Sequence, residues 1–270
     1  MPELPEVETT RRGLAPHVIG KSISAVDVRE PRLRWRVAAS LPSKLQGQRI
    51  DLITRRGKYL LFGTTGGTLL VHLGMSGTLR YLPEPPAHGL HDHIDVWFDS
   101  GDCLRFNDPR RFGSLHFTTA PSRHRLLKEL GPEPLSDEFT AEYLWSSCRG
   151  RHVAIKQHLM NSRVVVGIGN IYANEALFRA GIHPGRAAGR IARARFAPLV
   201  ASIRDVLNEA VEEGGTTLRD FVGGDGKPGY FRGSLKVYDR REAPCERCGA
   251  PIQRRVIGQR ASYYCSRCQR

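Results

Sequence analysis

IDVWFDSGDCLRF, residues 94–106, reads as two strands joined by a tight turn. Ile94, Val96 and Phe98 alternate with polar residues, Ser100-Gly101-Asp102 supplies the turn, and Leu104 and Phe106 resume the alternation. A period of two on both sides of a glycine-containing turn is a hairpin with one face towards a core. ISAVDV (23–28), KYLLF (58–62) and TLLVHLG (68–74) are further apolar runs of strand length. Short strands punctuated by Gly and Pro predict an antiparallel sandwich or barrel over the first half of the chain.

Ahead of the strands stands MPELPEVETT, residues 1–10, an acidic opening for a chain of net charge +14. Proline suits a first helical turn and acids suit its positive end, so a helix is predicted over Pro5–Leu14. The texture changes at LGPEPLSDEF (130–139), where Pro132, Pro134 and Ser136 as N-cap read as a hinge leading into helix. Phe196, Leu199, Val200, Ile203, Val206, Leu207, Ala210 and Val211 recur at helical spacing up to Gly214-Gly215. DFVGGDGKPGYF (220–231) then holds four glycines and a proline, the composition of an exposed, functional or disordered loop.

The 270 residues suffice for a full core and two domains, and 40% apolar with 25% charged residues is a globular balance. Lys+Arg 41 against Asp+Glu 27 points to a polyanionic partner, nucleic acid first. An anionic membrane is the rival surface. No segment has the apolar length of a span, and neither a signal peptide nor a lipidation motif is recognisable, so a cytosolic protein is expected.

Cys103 and Cys148 are isolated and are expected to be small buried hydrophobes. Cys245, Cys248, Cys265 and Cys268 form two CxxC pairs. In a cytosolic chain four thiolates at this spacing predict a closed, structural zinc site with no open position for water. From Arg240 to Arg270 eight arginines face only Glu242 and Glu246, more charge than solubility requires and a footprint for nucleic acid. In VVVGIGNIYANEALF (164–178), Gly167 and Gly169 precede a helix starting near Asn170. That is either a phosphate-binding helix start or a plain helix–turn–helix corner beside the helical run AIKQHLM (154–160).

Seven motifs now stand in order: PELPEVET (2–9), RRGKYLL (55–61), HLGMSGTLR (72–80), NDPRRFG (107–113), GIGNIYANE (167–175), DGKPGYF (225–231) and the four-cysteine end. Together, across the whole chain, they resemble the formamidopyrimidine-DNA glycosylase family, bacterial base-excision repair enzymes that remove oxidised purines such as 8-oxoguanine. The resemblance implies an α+β multidomain fold. An N-terminal helix and antiparallel β-sandwich (1–132) lead through a hinge (133–150) to a helical domain with a helix-two-turn-helix (151–234), then a zinc finger (235–270). DNA would cross the cleft between domains, and a loop at 216–231 would cap the lesion.

The same resemblance implies the site. Pro2, freed by loss of Met1, would be the Schiff-base nucleophile, Glu3 the proton donor and Glu6 an auxiliary carboxylate. Lys58 and Arg260 would contact phosphate and donate protons in β- and δ-elimination, although alone Lys58 reads as a charge at a strand edge. His72, Met75, His91, Arg110, Phe112, Lys156, Asn170 and Tyr238 would contact DNA; Met75, Arg110 and Phe112 would fill the gap left by the extruded nucleotide. By residue type alone, Met75 and Phe112 would be core. One structural Zn2+, a duplex with oxidised bases or abasic sites, a monomeric state and a nucleoid-associated bacterial cytosolic location complete the expectation. The alternatives are an endonuclease VIII-like enzyme for oxidised pyrimidines and a zinc-dependent DNA-binding protein without chemistry, which would need neither Pro2 nor Glu3.

Overall fold

The computed structural model describes residues 2–216 and 231–270. The chain separates into two compact units, Met1–Lys128 with Glu213–Arg232, and Glu129–Glu212 with Gly233–Arg270.

The first unit opens with α1 (Leu4–Val18), longer than the predicted helix because it runs through Pro16 into a last turn ended by Ile19. Then follow β1 (Ile23–Val28), the single-turn α2 (Leu41–Leu45), β2 (Ile50–Arg56), β3 (Tyr59–Thr64), β4 (Gly67–His72), β5 (Thr78–Leu82), β6 (Asp92–Phe98), β7 (Cys103–Asn107) and β8 (Ser114–Thr118). They form two antiparallel four-stranded sheets, ordered β1-β6-β7-β5 and β2-β3-β4-β8. One apolar cluster joins Val26, Val96 and Phe106 of the first sheet to Ile53, Phe62 and Leu115 of the second, with Val7 and Leu14 of α1. This is a sandwich core.

The 94–106 hairpin forms as β6 and β7, with Ile94 opposite Phe106 and Val96 opposite Leu104. Its polar face is buried too. Asp95, 0% exposed, takes both Nε and Nη2 of Arg105 at 2.9 Å and is also paired with Arg29. Arg105 Nη1 in turn donates to the carbonyl of Pro86 at 2.9 Å, so the segment before β6 is drawn over the sheet. Cys103 and Cys148 are buried as expected, and burial pushes both thiols up to about 11.

The second unit carries α3 (Ala141–Cys148), α4 (Ile155–Leu159), α5 (Asn170–Arg179) and α6 (Phe196–Glu212), then β9 (Gln253–Ile257) paired with β10 (Arg260–Tyr264). Ser136 caps no helix. Its hydroxyl donates to the carbonyl of Glu133, and α3 starts five residues later, capped by Thr140, whose Oγ1 accepts the Tyr143 N–H at 3.0 Å. All eight apolar residues predicted to line the α6 core face are buried. No helix among the described residues is long and apolar enough to cross a membrane.

Candidate active site and nucleic-acid interface

In the first unit Pro2, Glu3 and Glu6 meet at the start of α1. Pro2 is buried, and Glu3 and Glu6 are each 2% exposed. Glu3 is the N-cap residue and Glu6 occupies N3, so the two carboxylates form a reciprocal capping box. Glu6 Oε2 accepts the Glu3 N–H at 2.8 Å, and Glu6 Oε1 accepts the N–H of Thr216 at the same distance. Gly215 has φ of 81°, and a Cβ there would lie 3.2 Å from Glu6 Oε1. Glycine therefore admits the chain to this carboxylate. Met1 lies outside the described residues, as does the 217–230 part of the predicted lesion-capping loop.

Lys58 follows Gly57 in the two-residue turn that joins β2 to β3, where Arg56 pairs with Tyr59 and Gly57 takes φ of 57°. His72 ends β4 opposite Tyr59, and the two rings lie 4.7 Å apart. Its Nδ1 accepts the Gly74 N–H at 3.0 Å, which leaves the proton on Nε2. Burial, then the positive charges of Lys58 and Arg34, push the His72 pKa down to about 4. The ring is a neutral donor among cations at pH 7. Arg34 was not singled out from the sequence. The basic run RLRWR (32–36) held the signal, but nothing local distinguished one arginine from the next.

Met75 sits in the turn 73–77, half-buried, while Arg110 and Phe112 are exposed, with the guanidinium 4.9 Å from the ring centre. Phe112 is 40% exposed and is not core. The turn and the 108–113 loop abut: a Cβ on Gly74 would stand 2.5 Å from Gly113 N, and one on Gly113 2.7 Å from the His72 carbonyl. His91 is half-buried, and its carbonyl accepts the Asp108 N–H at 3.0 Å. His91 is thereby tied to the same loop.

The second unit carries the other expected contacts. Asn170 opens α5, and its Oδ1 is buried without a hydrogen-bond partner among the described residues. A helix N-terminus favours an anion, and a half-buried amide there adds a polar group with open capacity. Asn174, one turn on, accepts the Tyr263 N–H at 2.9 Å and so binds α5 to β10. Glu175 accepts the N–H groups of Lys236, Val237 and Tyr238 at 2.8–3.0 Å. Both are supporting residues that sequence reasoning passed over, although they stand inside GIGNIYANE.

Lys156 is 1% exposed; its Nζ donates to the Ala261 carbonyl and to Ser262 Oγ, each at 2.7 Å. It therefore holds the β10 backbone directly after Arg260. Tyr238 is half-buried, with its ring 5.2 Å from that of Tyr263. Arg260 is exposed, opposite Ile257, beyond a turn in which Gly258 and Gln259 have φ of 57° and 60°. Positive φ at both central residues is the hairpin turn that matches strand twist.

The sulfurs of Cys245, Cys248, Cys265 and Cys268 all lie within 4.8 Å of one another, with 245–268 at 3.9 Å and 248–265 at 3.5 Å. A tetrahedral zinc with bonds of about 2.3 Å requires sulfurs about 3.8 Å apart. The residues fit the metal, and four thiolates fill its coordination sphere, so the site is structural. The finger's own core is small, with Val237, Ala250, Ile252 and Tyr263 gathered on Phe178 of α5.

Comparison with known proteins agrees along the chain. Residues 1–115 match the formamidopyrimidine-DNA glycosylase N-terminal domain, 130–222 its H2TH domain, and 243–270 the zinc finger found in FPG and IleRS. Formamidopyrimidine-DNA glycosylases of Thioalkalivibrio sulfidiphilus and Nitrosococcus oceani are 57% and 55% identical to it, with all of each chain covered. Among solved structures, MutM (Fpg) from Thermus thermophilus superposes with a TM-score of 0.89 at 41% identity, covering 99% of this chain and 98% of that one. Lactococcus lactis Fpg in complex with DNA containing an abasic site gives 0.91 at 33% identity, with 99% of each covered.

Proposed function

The chain belongs to the formamidopyrimidine-DNA glycosylase family, and from that premise we propose that it is a bifunctional DNA glycosylase and AP lyase that removes oxidised purines from duplex DNA. The observation that carries the reading is the pair of buried carboxylates, Glu3 and Glu6, beside Pro2. Capping a helix needs only one such group at the surface. Hydrogen bonds of the capping box and from Thr216 offset the cost of burying both, and the burial sets two carboxylates beside Pro2, where the chemistry needs a proton donor.

The chemistry follows from the N-terminus. With Met1 removed, Pro2 is a secondary amine; α-amines titrate near ~7.7–8.0 in model peptides, so a useful fraction is free to attack at physiological pH. The positive end of α1 disfavours the ammonium further, while Glu3 and Glu6 act in the opposite sense. The nitrogen lone pair forms a bond to the sugar C1′. The bond from C1′ to the base breaks, and its electrons leave with the base, which is protonated as it departs. Glu3 donates to the ring oxygen as the sugar opens and the iminium forms. The iminium is an electron sink: loss of a proton from C2′ expels the 3′ phosphate, and a further elimination expels the 5′ phosphate. Lys58 and Arg260 stabilise these phosphates as they depart. His72, as a neutral donor, and Asn170, at a helix N-terminus, hold the flanking backbone. Met75, Arg110 and Phe112 occupy the space of the extruded nucleotide, with His91 beside them, and Tyr238 lies against the finger that presents Arg260. Lys156 acts by holding that finger. The structural zinc keeps β9 and β10 folded and takes no part in the reaction. We read the protein as a monomer of the bacterial cytosol, working at the nucleoid.

Borohydride trapping tests the reading. With a duplex containing 8-oxoguanine opposite cytosine, the protein becomes covalently attached to DNA, and mass mapping places the adduct on Pro2. DNA binding without an adduct would establish the non-catalytic alternative. Strong preference for a thymine-glycol duplex would establish the endonuclease VIII-like one.

A further inference from the structure

Asp108 is 0% exposed, yet it touches both loops that carry Met75, Arg110 and Phe112. Its Oδ2 accepts the Gly113 N–H at 2.7 Å, closing the 108–113 loop on itself, and its Oδ1 lies 3.4 Å from the Ser76 hydroxyl of the 73–77 turn. Its main chain is equally engaged. The carbonyl accepts from His93 Nε2 at 2.8 Å and from the Arg111 N–H at 3.1 Å. Pro109 follows and biases Asp108 towards extended backbone. The seam between the loops leaves no room for side chains at Gly74 or Gly113, so main chain meets main chain there. Within the loop Arg111 takes φ of 55°, a left-handed value unusual for a residue with a Cβ.

We propose that Asp108 is a positioning residue that fastens the 73–77 turn and the 108–113 loop into one element, so that Met75, Arg110 and Phe112 enter the duplex as a unit. The inference rests on the reading of those three side chains as the gap-filling set. Aspartate suits the task because its short carboxylate offers acceptors to a main-chain N–H and to a hydroxyl at once. Unpairing those buried groups carries the full desolvation penalty, so the loops stay joined. Asp108 itself is shielded from DNA and acts only through the loops.

Single-turnover nicking of two substrates decides the matter: a duplex with 8-oxoguanine opposite cytosine, and a single-stranded oligonucleotide with one abasic site, which needs no extrusion and leaves no gap. Asp108→Ala is expected to slow the duplex reaction by on the order of tenfold to a hundredfold, the scale of a positional error, with the single-strand rate retained. Asp108→Asn keeps one acceptor oxygen and the side-chain shape and restores most of the duplex rate. Gly113→Ala keeps the carboxylate but sets a Cβ 2.7 Å from the His72 carbonyl, 2.5 Å from the Phe106 ring and 3.1 Å from Asp108 Oδ2, so it parts the same seam and reproduces the duplex-selective loss. Equal losses on both substrates in Asp108→Ala and Gly113→Ala, or an Asp108→Asn no better than Asp108→Ala, would overturn the proposal. Phe112→Ala separates the two levels. If it nicks duplex at the wild-type rate, the gap-filling reading fails and this inference with it; if it is slow while Asp108→Ala and Gly113→Ala are fast, this inference alone fails.

Discussion

The carboxylate of Glu6 accepts the main-chain N–H of Thr216 at 2.8 Å, across 210 residues of sequence. Its other oxygen holds the N–H of Glu3. One buried side chain thus ties the residue beside Pro2 to the chain entering the 217–230 segment. Glutamine at this position keeps only one acceptor and turns an amide donor towards the other N–H. Glu6→Gln should lower stability by about 1–3 kcal/mol, the cost of leaving a buried donor unmet. Urea unfolding measures this, and an unchanged midpoint would show that the two bonds do not form together in solution.

Pro2→Gly replaces the secondary amine with a primary one and removes the ring that holds it. Strand nicking of oxidised duplex should fall sharply while affinity for damaged DNA stays. Gel-based nicking beside a binding titration separates the two, and full retained activity would remove Pro2 from the mechanism.

His72 is held neutral, its pKa moved from 6.5 to about 4. Its unfolded form binds a proton below about pH 6.5 that the folded form refuses until about pH 4. Stability contributed by the neutral ring is therefore complete above pH 6.5 and declines as pH falls through that window. His72→Gln should lose less stability than wild type between pH 6.5 and 4.5, measured by paired denaturant titrations. Parallel curves would place the titration elsewhere.

Arg260 is exposed and has no ion-pair partner among the described residues. Arg260→Ala should change folding stability by less than about 0.5 kcal/mol, as surface substitutions do. Its effect should fall on DNA: weaker binding, and a plot of log affinity against log salt flatter by about 0.9 if one phosphate contact is lost. An unaltered slope would mean that Arg260 meets no phosphate.

Stripping zinc should unfold the finger, because its few apolar residues do not hold β9 and β10 without a metal whose binding is worth roughly 10–16 kcal/mol in comparable peptides. Chelation followed by NMR should collapse the signals of residues 243–270 to unfolded positions and release Lys156 from Ala261 and Ser262, while those of the β-sandwich persist. A finger that stays folded without metal would make the four thiols redundant.

Much of this protein was legible from local pattern. Periodicity in 94–106 and 196–211 yielded a hairpin and a helix, the helix with its buried face correctly read, because period two and period 3.6 follow from backbone geometry alone. The two CxxC pairs specified a closed metal site because ligand spacing constrains coordination. PELPEVET and its companion motifs pointed to the family and so to Pro2, Glu3 and Arg260. Other features needed the fold. Asp95 looked like a solvent-facing strand residue, but Arg29, just past β1, and Arg105 of β7 converge on it. Lys156 looked like a cation for DNA, but the finger folds over it. Asp108 stood inside NDPRRFG and Thr216 at the start of the expected 216–231 loop, but neither role was legible there, since it depends on partners as far as 32 and 210 residues away. By itself the sequence determined which segments form strands, helices and a metal knot, because those depend on neighbours along the chain. Only the tertiary structure decided which charges are buried and what they hold, because desolvation and hydrogen-bond geometry are set by groups that the chain brings together from a distance.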